Sequence, residues 1–130
     1  MSIPVAIEEL RTATARYTFA YLLTVSDDGR VHAVAVQPEW SEAGTLVIAD
    51  TGRRTTANAA ARPNVSLVWP PVSIDDYSLI ADGDASPHGD GLAVTPTKAV
   101  MHRPAPTRAG DLPGASDAES CGSDCVPLSV

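Results

Sequence analysis

Cations, aromatic residues and cysteines are all scarce in this chain, and each shortage removes a class of function. Lysine and arginine number 9 against 16 aspartates and glutamates, a formal net charge of −7. A surface of that sign is repelled by the phosphate backbone of nucleic acid, whose binding relies on clustered lysine and arginine, and by an anionic membrane. Aromatics make up 5%, too few for a platform on which single-stranded bases stack. No apolar run approaches the ~18 residues of a spanning helix. The opening stretch MSIPVAIEELRTATARY carries Glu8 and Glu9 where a secretory signal would be basic. A soluble, cytoplasmic protein is the expectation. Both cysteines, Cys121 and Cys125, stand in the last ten residues, so the core owes nothing to a disulfide framework. A bond between them would close a tiny loop and add little stability. Zinc needs further ligands, and His32, His88 and His102 show no matching spacing.

Apolar content, by contrast, is ample. At 130 residues and 44% apolar, the chain suits one domain with a single core. From about residue 104 the composition turns to Pro, Ala, Gly, Ser and Asp, with too little apolar surface to pack. The expected division is a domain over 1–103 and a tail over 104–130.

Periodicity sets the elements. Residues 4–16 read as a short amphipathic helix around Val5, Ile7 and Leu10. YTFAYLLTV (17–25) alternates, SDDGR (26–30) holds an Asp-Gly turn pair, and VHAVAVQPEW (31–40) returns as the second strand, with Pro38 at a bulge or fraying end. TLVIAD (45–50) completes an expected three-strand meander. A helix over 53–62 ends before Pro63, and NVSLVW (64–69), YSLIADGDA (77–85) and GLAVTPTKAVMH (91–102) supply three more strands, the last two joined by SPHGD. Six strands and an inserted helix predict a small antiparallel barrel, because closure or dimerisation removes unprotected edges.

The stretch DTGRRTTANAAARP (50–63) carries the chemistry. Arg53 and Arg54 fall in the first turn of the helix, where unpartnered N–H groups and the helix dipole already concentrate positive charge. Exposed cations there are disfavoured by about 0.3–1 kcal/mol each. A bound phosphate reverses that sign, accepting the free N–H groups and arginine bonds, with threonine hydroxyls as further donors. Gly52 allows close backbone approach. The plain alternative is two solvated arginines pointing away.

The order of hairpin, TGRR segment, helix with Asn58 and RPNVSL strand resembles the pyridoxamine 5′-phosphate oxidase-like split-barrel proteins, over about residues 5–103. The family's pattern has a helix asparagine five residues before a proline, a spacing that Asn58 and Pro63 keep. The resemblance implies a mainly β, six-stranded antiparallel split β-barrel with short helices, assembled as a homodimer with cofactor sites in the grooves between subunits. It implies FMN or the deazaflavin coenzyme F-420, the latter frequent in the actinobacterial branch. The cofactor phosphate would sit against Gly52, Arg53, Arg54 and Thr55; the ring would lie along Val34, Ala35, Val36 and Gln37, with Thr51 close by and Trp69 as a pocket wall supplied across the dimer. Thr55 stands where the family's phosphate segment often has lysine, with Arg53 as its substitute. MHRPAP (101–106) differs from the C-terminal arginine and histidine of authentic pyridoxamine-phosphate oxidases, so that named activity is not expected.

The implied function is an FMN- or F-420-dependent oxidoreductase passing a hydride to or from a small organic molecule. The alternative is a non-catalytic binder that sequesters a phosphorylated cofactor or a haem-like ligand; a plain dimeric scaffold is a third possibility, since fold alone permits each. Among other residues, His32 reads as a rim histidine or a cofactor contact. Trp69, Trp40 and Tyr77 read as packing, and His102-Arg103 as solvent-exposed or reaching a groove mouth. Asp82, Asp84 and Asp90 belong to a solvated turn or a weak cation site.

Overall fold

A computed structural model describes residues 1–104. Ten elements follow one another: β1 (Ser2–Val5), α1 (Ile7–Thr14), β2 (Ala20–Val25), β3 (Val31–Val36), β4 (Glu39–Trp40), β5 (Leu46–Ile48), α2 (Arg53–Ala61), β6 (Asn64–Trp69), β7 (Ser78–His88) and β8 (Gly91–His102). The strands form one sheet in the order β3-β2-β6-β7-β8-β5-β4, and β1 pairs with β8 off this path. Every pairing is antiparallel.

The ends of that order, β3 and β4, are separated in the chain only by Gln37 and Pro38. Two residues bridge at most about 10 Å, so the sheet curls until its outer strands approach each other. The result is a mainly β, antiparallel curled half-barrel with two helices. Strand β8 is the hinge of the closure. Along one side it pairs with β7 for its whole length, while β5 takes Leu92–Val94 and β1 takes Ala99–His102 on the other. A register shift at Asp82/Gly83 bends β7 against β8. Gly83 is required there, because a Cβ would lie 2.6 Å from the Thr95 carbonyl oxygen. At Gly91 a Cβ would collide with the Ile48 carbonyl, so β5 reaches β8 only past a bare backbone.

Leu22, Leu67, Leu79, Leu46 and Leu92 meet in the interior, each at most 2% exposed. Leu10 of α1 and Ala59 of α2 seal it from the helices. Helix α1 is further tied by Trp40, whose Nε1 donates to Thr14 Oγ1 at 2.9 Å. Tyr17 donates its hydroxyl to the Tyr77 carbonyl at 2.9 Å.

The mainly β, antiparallel architecture expected from sequence holds, with eight strands in place of six and three further local corrections. Strand β1 takes Pro4 and Val5 from the expected helix, which begins instead at Ile7, because these two residues pair with Val100 and Ala99 of β8. The expected meander does not form: Leu46–Ile48 pairs with β8 and β4, not with β3. Pro38 has no N–H to continue the hairpin ladder, and the chain leaves for the opposite end of the sheet. Strand β7 runs three residues further than expected, to His88, so the turn narrows to Gly89-Asp90. Within β2 the small even-numbered row, Ala20, Leu22 and Thr24, faces the core, and the bulkier odd-numbered row faces out.

Candidate functional site

Helix α2 begins without a cap. Gly52 holds φ 85° and ψ 164°, a region open to glycine and costly for other residues, and no side chain bonds the first turn. The first backbone bond of the helix runs from the Thr56 N–H to the Gly52 carbonyl at 3.1 Å. The N–H groups of Arg53, Arg54 and Thr55 therefore have no acceptor among the described residues. Asp50, with φ 52°, turns the chain into this start, and its N–H is held by the Asp90 carboxylate at 3.1 Å.

Facing that helix start is the β2–β3 hairpin. Between them lies an open cleft of about 990 Å³, bordered by Arg53, Arg54, Ala57 and Asn58 from α2, by Ser26, Asp27, Asp28 and Arg30 from the turn, and by Val31 and His32 from β3. Two side chains fix its walls. Asn58, 6% exposed, donates Nδ2 to Thr24 Oγ1 at 3.1 Å and to Ser26 Oγ at 3.3 Å. Arg62, just past the helix, donates Nε to the Val25 carbonyl at 2.8 Å and pairs with Asp27 at 2.7 Å.

The charges are distributed unevenly. Residues 1–104 hold eight lysines and arginines; three of them, Arg30, Arg53 and Arg54, border this one cleft, and a fourth, Arg62, binds Asp27 of its wall. Asp28 faces Arg30 at 3.7 Å and Asp27 faces Arg62. Arg53 and Arg54 are exposed and make no ion pair or side-chain hydrogen bond with a described residue. In an acidic chain, a concave region of the opposite sign concentrates anions.

The residues singled out from sequence are only partly brought together. Arg53 and Arg54 border the cleft, and His32 joins them. Gly52 precedes them at the cap. Thr51 and Thr55 turn their side chains inward, at 8% and 2% exposed, and Thr51 shares a 2.7 Å hydroxyl bond with Thr56. Neither hydroxyl faces the cleft, so only backbone groups of this segment supplement the arginines. Along β3 the side chains alternate: Val34 and Val36 pack against the core, while Ala35 and Gln37 are exposed on the outer face. A strand offers a ligand one of those faces, so the four do not form a single wall. Trp69, 3% exposed, is a core residue of its own chain and does not border the cleft.

Sequence reasoning passed over Ser26, Asp27, Asp28, Arg30 and Ala57 as site residues. Their one signal was membership of the hairpin turn and of the helix face one turn past Arg53. Arg103 stays away from the cleft: it lies over the Tyr77 ring at 4.6 Å and donates Nη1 to the Asp75 carbonyl at 2.8 Å. Asp82 and Asp84 accept bonds from Ser66 and Asn64 across the β6–β7 ladder. Cys121 and Cys125 lie outside the described residues.

Fold and cleft place the chain in a definite structural class, the antiparallel split barrel. A FAD-binding protein of Mesorhizobium loti superposes with a TM-score of 0.61 at 12% identity, over 78% of this chain and 96% of its own. An F420 reductase superposes with a TM-score of 0.53 at 19% identity, over 63% and 88%, and the haem storage protein HutZ of Vibrio cholerae with 0.51 at 15%, over 72% and 91%. No family model matches the sequence. Kinship by sequence is nearer: uncharacterised proteins of Mycobacterium bovis and of Mycobacterium tuberculosis are each 42% identical over 97% of this chain and 96% of their own. The chain belongs to one family with these two mycobacterial proteins. Among the described residues no helix is long and apolar enough to cross a membrane.

Proposed function

We propose that the protein binds a phosphorylated flavin or deazaflavin, FMN or F-420, and acts as an oxidoreductase on a small organic molecule. One observation carries the reading: two arginines without carboxylate partners among the described residues stand at an uncapped helix start and border a cleft of ligand size. The phosphate end fits these residues, since free N–H groups and guanidinium donors converge from one helical turn. The bound ring would supply the hydride chemistry. The chain holds the phosphate, and the Asn58–Thr24–Ser26 bonds keep helix and hairpin at a fixed separation.

The ring end needs a second copy. Among the described residues of one chain the cleft has only Val31 and Ala57 as apolar wall. Val31, 64% exposed, also begins an outward-facing apolar surface. Its central row crosses β3, β2, β6, β7 and β8 through the paired residues Ala35, Tyr21, Val68, Ile80 and Val100. We take this face as the contact of a homodimer in which the partner covers the ring.

Sequestration of haem without turnover is the second reading. His32 on the same cleft favours it, as a side chain suited to ligate iron, and the HutZ fold is similar. Titration of the purified protein with FMN, F-420 and haemin separates the two. A bound flavin that is reduced and then reoxidised by a small organic acceptor supports the enzyme. Haemin binding without flavin binding supports storage.

A further inference from the structure

We infer that a second cavity, at the opposite end of β2 from the cleft, binds a free zwitterionic amino acid with an apolar side chain. The inference is independent of the phosphate reading. The cleft follows the end of β2 at Val25, whereas this cavity of about 400 Å³ lies where the chain enters β2, between the end of α1 and the segment that joins β6 to β7. That volume falls within the range of small-molecule sites. Exposed Arg16 and Asp76 border it, together with half-buried Tyr17, Tyr77 and Met101.

Charges of both signs face this space without meeting. Arg16 and Asp76 form no ion pair with each other or with another described residue. Arg16 rests Nη2 against the Met101 sulfur at 3.9 Å, a weak acceptor that leaves the cation uncompensated. Burial raises the pKa of Tyr17 most, Arg16 lowers it and Asp76 raises it again, so both charges lie within reach of one phenol. The segment that carries Asp76 is held in place. Its N–H donates to the Ser73 carbonyl at 3.0 Å. On either side of it the Tyr77 carbonyl accepts from the Tyr17 hydroxyl at 2.9 Å and the Asp75 carbonyl from Arg103 Nη1 at 2.8 Å. Both charges are therefore positioned before a ligand arrives, which lowers the cost of binding. An amino acid carries its carboxylate and its ammonium on one carbon, the first suited to the guanidinium and the second to the Asp76 carboxylate. Neither an anion nor a cation alone satisfies both. Pro71, Val72 and the Met101 thioether leave apolar wall for the side chain.

The test is a calorimetric titration of the full chain with leucine, N-acetylleucine and leucinamide, the last two lacking the ammonium and the carboxylate charge respectively. Leucine is expected to bind at least about tenfold more tightly than either. Arg16→Gln should lower leucine affinity to the level of leucinamide, and Asp76→Asn to that of N-acetylleucine. Both variants should melt as the parent does, since the two side chains are exposed. Amide signals of Tyr17, Asp76 and Tyr77 should shift as leucine is added, while those of Arg53 and Arg54 stay still. Leucine binding no tighter than either one of the blocked forms, shifts confined to the cleft at α2, or no leucine binding at about 10 mM overturns the inference. If a variant fails to fold, the three ligands compared on the parent chain decide alone.

Discussion

Arg53 and Arg54 occupy the end of a helix that opposes their charge, and the aspartates across the cleft, Asp27 and Asp28, are already engaged by other arginines. An anion offsets that penalty, so replacing either arginine has opposite effects on two quantities. Arg54→Ala is expected to weaken FMN binding by roughly ten- to a hundredfold, since a hydrogen bond to a charged group is worth about 1.5–3 kcal/mol. The same change should leave the melting temperature of the ligand-free protein unchanged or slightly raised, as calorimetry would show; a large drop would mean the side chain holds the fold. Tyr17 behaves differently. Burial raises its pKa above the ordinary value, Arg16 works against this and Asp76 adds to it. A phenol whose folded-state pKa is raised contributes stability that is complete below about pH 10 and declines as pH rises through the folded value, because the unfolded state loses the proton first. Denaturant melts at pH 8 and pH 11 should show this decline, and Tyr17→Phe should reduce it while costing about 0.5–1.5 kcal/mol at pH 8 through the lost bond to the Tyr77 carbonyl.

At the level of elements, close approach and tethering decide what the cleft can be. Gly91 admits β5 to the edge of β8, and Gly91→Ala should destabilise the protein by at least about 2 kcal/mol, since the added methyl has only the Ile48 backbone to meet. Urea unfolding measures it. Most elements were legible in the sequence for local reasons: β6 and β8 have the bounds that their flanking prolines and turns announce, and α2 ends where Pro63 requires. What stayed hidden was non-local. Nothing within TLVIAD tells that it pairs with a strand some 45 residues later, and a proline after the hairpin marks only that pairing stops. The inward row of β2 was hidden for a similar reason. Its bulkier row, Tyr21, Leu23 and Val25, would be the natural core face of an isolated domain, yet Ala20, Leu22 and Thr24 face in. Of the candidate site, the two arginines were legible from helix electrostatics alone. The hairpin wall opposite them was not, because only the fold brings residues 26–32 to the start of a helix more than 20 residues away.

For the whole molecule, an outward face richer in large side chains than the inward face of the same strand is costly in water unless something covers it. That supports the proposed homodimer, and it places the test at Tyr21, 42% exposed in the middle of the apolar row. Tyr21→Glu is expected to shift the protein toward monomer in sedimentation, whereas Arg54→Ala should sediment as the parent does. If the dimer also covers the ring, Tyr21→Glu lowers flavin affinity without touching the phosphate contacts. The most direct measurement concerns the anion itself: backbone amide chemical shifts recorded while FMN is added to the full chain. The N–H signals of Arg53, Arg54 and Thr55 should move the most and saturate together with flavin absorbance. Signals that stay still there while those of another region shift would contradict the docking of phosphate at this helix.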